Sequence, residues 1–191
     1  MDNDKSGIET INIRWHGRGG QGAITAAKIV AMAAFDSGYP GVVMVPTFGT
    51  ERRGAPVFTS LKLSKKKIYD LSPIETPDIL VILDHLILAE ANVLKGLKPG
   101  GIIVLNTPLN AGDYTFKGAR LAVADIIPLA EKAGLPKGIV NSGIIGSMAR
   151  ASGLIDMDVL EKAIKEEFKG RRPKENAGMA RLAYENTYLD F

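Results

Sequence analysis

Hydrophobic and polar positions alternate in two periods along the chain, and the switches between them mark the elements. Ile8 to Trp15 alternates isoleucine with polar residues, as a half-buried strand does, and stops at a glycine cluster. Ala23 to Ser37 then sets Ile24, Ala27, Val30, Ala31 and Ala34 on one side of a helix, with Gly38 as its C-terminal stop. Gly41 to Val45 predicts a second strand. Val57 to Leu63 and Lys67 to Tyr69 flank Ser64-Lys65-Lys66 and predict an antiparallel hairpin whose tip lysines keep an edge soluble. Ile79 to Leu83 is unbroken apolar sequence, the pattern of a central strand buried on both faces. A helix over Leu88 to Leu97 precedes further strands at Ile102 to Leu105 and Leu121 to Ala124. Helices follow at Ile126 to Ala133, Asn141 to Ala151, Met157 to Phe168 and Pro173 to Tyr188, the third capped by Asp156.

Strand-helix alternation of this kind predicts an α/β fold. The expected form is a three-layer α/β/α sandwich with a mostly parallel sheet, one β-hairpin insertion and a C-terminal helical tail over residues 155–191. A chain of 191 residues, 46% hydrophobic, can bury a full core, and a single domain over 1–191 is expected. The absence of cysteine excludes thiolate nucleophiles and cysteine-held zinc or iron–sulfur centres from this chain. Two histidines, His16 and His85, cannot make a multi-histidine metal site. A net charge of +3 is too mild to demand nucleic acid and is compatible with an anionic ligand or an acidic partner. The opening MDNDKSGIET has neither the basic nor the apolar region of a signal peptide, and no apolar run is long enough to span a membrane, so a cytoplasmic protein is expected.

The glycine cluster, WHGRGGQG, carries the candidate chemistry. Gly17, Gly19 and Gly22 satisfy G-x-G-x-x-G between a strand and a helix, where backbone N–H groups and the helix N-terminus favour an anion. A dinucleotide fold also needs an acid at the end of the second strand. That region reads Val42-Val43-Met44-Val45-Pro46-Thr47, and Asp36 lies earlier, in the first helix. The glycines therefore either grip a phosphate or carboxylate, or serve only a tight turn and close packing. Arg18 and Gln21 at the tip speak for the former. A second polar loop, Thr47 to Pro56, leaves the sheet near the first if the two strands are neighbours, adding Arg52 and Arg53 with the hydroxyls of Thr47 and Thr50. It is equally readable as a solvated loop with Glu51 paired to arginine. Asp84 either lines the same rim with His85 or caps the following helix. Ser142 has no recognisable base, and no nucleophile elbow or Walker loop is present.

IRWHGRGGQG, then FGTERRGAPV, then PDILVILD together resemble the gamma subunit of the 2-oxoacid:ferredoxin oxidoreductases, best of all the pyruvate type, over at least Ile11 to Ser152. The resemblance implies a multi-subunit enzyme coupling coenzyme A-dependent oxidative decarboxylation of a 2-oxoacid to ferredoxin reduction. Thiamine diphosphate, magnesium and iron–sulfur clusters then belong to the alpha, beta and, as a further candidate, delta subunits, and none to this chain. It further implies that Gly17, Arg18, Gly19, Gly20, Gln21 and Gly22 with Glu51, Arg52, Arg53 and Gly54 face a shared site or interface, positioning anionic groups rather than making bonds. No catalytic residue, nucleic acid or membrane is expected. Coenzyme A or a partner's carboxylates could meet the basic loops. A stand-alone Rossmann-like nucleotide-binding oxidoreductase is the alternative.

Overall fold

Strand β1 (Ile11–Arg18) organises the molecule, and the computed structural model describes residues 10–46 and 53–191 around it. The chain continues through α1 (Ala23–Asp36), β2 (Gly41–Pro46), β3 (Pro56–Ser64), β4 (Ile79–Ile82), α2 (Ile87–Glu90) and β5 (Ile102–Asn106). A single 3-10 turn at Ala111–Asp113 follows, then β6 (Arg120–Ala124), α3 (Ile126–Lys132), α4 (Asn141–Ser152), α5 (Met157–Glu167), α6 (Pro173–Asn186) and β7 (Tyr188–Asp190). The seven strands form one sheet in the order β2-β3-β1-β4-β5-β6-β7. β1, β4, β5 and β6 are parallel, and β2 shares their sense because β3 runs antiparallel to both β1 and β2. The sheet is thus mostly parallel in strand direction, with β7 antiparallel at the far edge.

The two faces are unequal. One carries Ile13, Trp15, Val81 and Val104 under a thick layer of α1, α4, α5 and α6. The other carries Ile82, Ile103, Leu105, Leu121 and Val123 under α2, the 3-10 turn and connecting segments that include Val93. Register puts Arg14 opposite Leu80 and Ser60, and His16 opposite Ile82 and Phe58, so the β1–β3 part of this second face is polar although buried. Lys62 lies there too, with its ammonium 2.6 Å from Asp70.

Three expectations are corrected. Val57 to Leu63 does not turn back onto Lys67 to Tyr69. β3 pairs instead with β2 along one edge and β1 along the other, so the hairpin is β2–β3 and residues 67–69 form no strand. After β3 the Lys66 N–H bonds to Ser64 Oγ, which bends the chain out of the sheet. The helix expected to Leu97 ends at Glu90. Ala91 is extended, and the carbonyls of Val93 and Lys95 accept hydrogen bonds of 2.7 Å from the buried Arg14, so a tertiary demand overrides local helix propensity. The last helix stops at Asn186, and Tyr188–Asp190 joins β6 as a strand.

The C-terminal helix is built into the helical layer. α6 lies so close to α4 that a Cβ on Gly146 would sit 2.0 Å from the Ala180 carbonyl oxygen. Gly178, on the same helix α6, faces open space. Gly146→Ala is therefore expected to lower unfolding stability by about 1–3 kcal/mol through overpacking. Gly178→Ala is expected to raise it by about 0.4–1 kcal/mol by restricting the unfolded chain. Denaturant titration of the two variants checks both signs.

Candidate functional site

β1 runs on through Gly17 and Arg18, paired to Val57 and Pro56, before the chain turns into α1. The turn needs two left-handed residues, Gly20 at φ 96° and Gly22 at φ 81°. At Gly22 a side chain would also strike Asn141 at the start of α4, 2.7 Å from its amide nitrogen. Gln21 folds back so that its Oε1 accepts the Arg18 N–H at 2.7 Å. The second loop meets the first through its main chain: the Gly19 N–H donates to Ala55 O at 2.9 Å, and the Gly54 N–H to Gly19 O at 3.1 Å.

Arg18 does not reach outward for a phosphate. Its Nε donates to Asp84 at 2.7 Å, its terminal nitrogens fork onto Glu90 at 2.9 and 2.5 Å, and one also reaches the Gly54 carbonyl. The hydrogen bonds it donates to Glu90 and then Asp84 push the guanidinium further above its ordinary range. The bond from Arg18 holds Glu90 below the usual carboxylate value. Burial works to raise Asp84, but its bonds from Arg18 and the Leu86 N–H outweigh that and leave it lowered. Two carboxylates against one arginine leave this cluster with a net negative charge.

Gly17 to Gly22 and Arg53-Gly54 are therefore brought together, while Glu51, Arg52, Thr47 and Thr50 lie outside the described residues. Arg53 is exposed beside Gly20 and makes no ion pair among the described residues. Asp84 lines the rim through Arg18; its other oxygen takes the Leu86 N–H just ahead of α2, whose N-cap, Leu86, makes no side-chain capping bond. His85 turns away toward the Tyr114 hydroxyl, 3.4 Å off. His16 is buried, with Nε2 accepting from Arg14 at 2.9 Å. Ser142 is buried and donates to Asn176, which removes it as a nucleophile. No group of three metal-ligating side chains occurs among the described residues.

Glu90 and Arg14 escape notice in the sequence. Glu90 sits in a predicted helix with no mark to separate it from a solvated acid. Arg14 occupies a polar position in β1 that alternation assigns to solvent, and only its place two residues before His16 and four before Arg18 hints at a continuous basic row.

Fold and rim together define an α/β domain whose two glycine-bearing loops meet at one edge of the sheet. The pyruvate ferredoxin/flavodoxin oxidoreductase family model matches residues 12–186, and the chain belongs to that family. It is 43% identical over 184 residues to the pyruvate/ketoisovalerate oxidoreductases common subunit gamma of Thermococcus litoralis, covering 94% of this chain and 98% of that one. It is likewise 43% identical over 176 residues to pyruvate synthase subunit PorC of Methanothermobacter marburgensis, covering 92% and 96%. The crystal structure of pyruvate oxidoreductase subunit PORC from Thermotoga maritima superposes with a TM-score of 0.81 at 28% identity, over 96% of this chain and 99% of that one. The 2-oxoglutarate:ferredoxin oxidoreductase of Magnetococcus marinus shares the fold, at TM-score 0.71 and 20% identity, over 93% of this chain and 30% of that one.

The Arg18–Asp84 tie has a pH signature. The folded Asp84 carboxyl titrates below its ordinary value of about 3.9, so its ionised form stabilises the fold fully above that value. The contribution disappears as pH falls through the lower folded value. Asp84→Asn is expected to lower the denaturation midpoint at pH 7, and the gap from wild type to close in the acid range below about pH 4. Denaturation curves of both proteins across pH 2.5–7 check this.

Proposed function

We propose that this chain is the gamma subunit of a thiamine-dependent 2-oxoacid:ferredoxin oxidoreductase of the pyruvate type, with coenzyme A as co-substrate. Its partners are the alpha and beta subunits, with a delta subunit as a further candidate, and ferredoxin reaches it only through the complex. The unit is one gamma-type domain over 1–191, and its compartment is the cytoplasm; no helix among the described residues is long and apolar enough to cross a membrane. The donor set here does not fit the metal centres of such an enzyme, because there is no cysteine and no carboxylate–histidine cluster among the described residues. Thiamine diphosphate, magnesium and iron–sulfur clusters belong to other subunits.

One observation carries the reading. The two signature loops, separated in sequence by α1 and β2, are stitched into one rim by the paired Gly19–Ala55 and Gly54–Gly19 hydrogen bonds. Such a rim holds direction rather than reactivity. Arg18, Gln21, Asp84 and Glu90 fix the turn against β4 and α2, and the exposed Arg53, with Arg52 beside it in sequence, offers positive charge to coenzyme A phosphates or a partner's carboxylates. The stand-alone dinucleotide reading loses further ground. On the side of β1 where a Rossmann fold sets a parallel strand with a ribose-binding acid, this sheet has antiparallel β3, which starts at the rim with Pro56 and Val57.

Exchange of Arg52 and Arg53 to alanine in the assembled enzyme is expected to raise the Michaelis constant for coenzyme A about ten-fold at nearly constant kcat, or to release the subunit from the complex. Co-purification through a tagged partner, with viologen reduction on pyruvate, 2-oxoglutarate and 2-oxoisovalerate, distinguishes the two. If assembly and the Michaelis constant both stay at wild-type values, the positioning role of these arginines is wrong.

A further inference from the structure

On the second face of the sheet, a cavity of about 490 Å³ opens between the start of β3 and the segments around Ile74 and Val93. Its size is that of a small-molecule site. Most of its lining is apolar, including Phe58, Pro73, Ile74 and Val93, and two polar side chains converge on it, Arg14 and His16, each only 8% exposed. Glu75 and Lys95 also line it and offset one another in charge.

The donors can be counted. Of the five guanidinium N–H groups of Arg14, one goes to His16 Nε2 at 2.9 Å, one to the Ile74 carbonyl at 3.4 Å, and two to the carbonyls of Val93 and Lys95 at 2.7 Å each. One Nη1 hydrogen is left over. His16 is neutral, because burial and then the neighbouring Arg14 charge push it down to about 3. With Nε2 accepting, its proton sits on Nδ1, which has no partner among the described residues. Charge is the larger anomaly. All four acceptors on Arg14 are neutral, so a full positive charge is buried with no carboxylate paired to it among the described residues. Lys62, buried on the same face, does have its acid in Asp70.

We infer that this cavity binds a small organic monocarboxylate with an apolar body. Its two oxygens take the spare Arg14 Nη1–H and the His16 Nδ1–H, and its carbon skeleton packs against Phe58, Ile74 and Val93. One positive charge and two unspent donors match a carboxylate; a phosphate dianion would bring twice the charge and an oxygen without a donor. The cavity reaches Pro56 and Val57 at the rim end of β3, but none of Gly17 to Gly22 lines it.

The test uses the full chain, alone and in the complex with which it co-purifies, titrated by calorimetry with isovalerate and phenylacetate. Isovaleramide, phenylacetamide and inorganic phosphate are the controls. Saturable one-to-one binding of a carboxylate is expected in both preparations, at least about ten-fold weaker for its amide, since the amide forfeits the charge. Phe58→Glu, which brings an internal carboxylate diagonal to Arg14 across the β1–β3 pair, is expected to abolish binding, and Phe58→Gln to retain it. Equal affinity for acid and amide, binding that survives Phe58→Glu, absence of carboxylate binding, or binding by the free chain that vanishes in the complex each overturns the proposal. The last outcome makes the cavity a subunit contact.

Discussion

The pleat of β1 is the constraint on which the rest of the molecule depends. Its odd residues, Ile13 and Trp15, go to the helical layer and are fully buried; its even residues, Arg14, His16 and Arg18, go to the opposite face. A basic row on a central strand cannot be left without acceptors once it is covered. The covering segments are shaped accordingly. Val93 and Lys95 surrender their carbonyls to Arg14 instead of continuing α2, and Asp84 and Glu90 turn their carboxylates onto Arg18. The second face is therefore thin because its side chains ask for backbone carbonyls, which a regular helix keeps for itself.

The same logic explains which parts of the structure are legible in the sequence. Ile79 to Leu83 and Ile102 to Leu105 announce buried parallel strands because both of their faces are apolar, and they are found within a residue or two. α4, α5 and α6 are equally clear, since their apolar stripes face one thick core; Asp156 caps α5 through the Asp158 N–H as its position predicts. What stays hidden is set by partners distant in sequence. β3 has two possible neighbours by pattern, and only the register with both β1 and β2 shows that Lys67 to Tyr69 is not one of them. The three residues of β7 are too few to carry a period, and their pairing with β6 is decided at the far end of the chain.

The glycine rim illustrates how local physics and family resemblance divide the work. Local physics allows an anion at a strand-glycine-helix turn, yet the arginine that made that reading attractive is spent on two carboxylates, and Gln21 on closing the turn. Gly22 is needed for its left-handed backbone and for the approach of Asn141. The rim is a preformed edge whose Arg18 is already outmatched by two carboxylates, rather than an open cationic cradle. That character suits a surface that must keep its shape beside another subunit, where orientation rather than gross charge carries the specificity.

The mixed connectivity of the sheet also grades how much chain must be closed to make each pairing. β2 meets β3 across a short span, with Pro46 opposite Thr59, 13 residues on. β6 meets β7 across a long one, with Val123 opposite Tyr188, 65 residues on. The five-fold longer loop costs about 1.4 kcal/mol more in closure entropy, and β7 has three residues with which to repay it. The sheet is thus graded in sequence separation from edge to edge: its hairpin edge pairs residues close along the chain, whereas the β6–β7 seam joins residues on either side of the four C-terminal helices and is held by three residues.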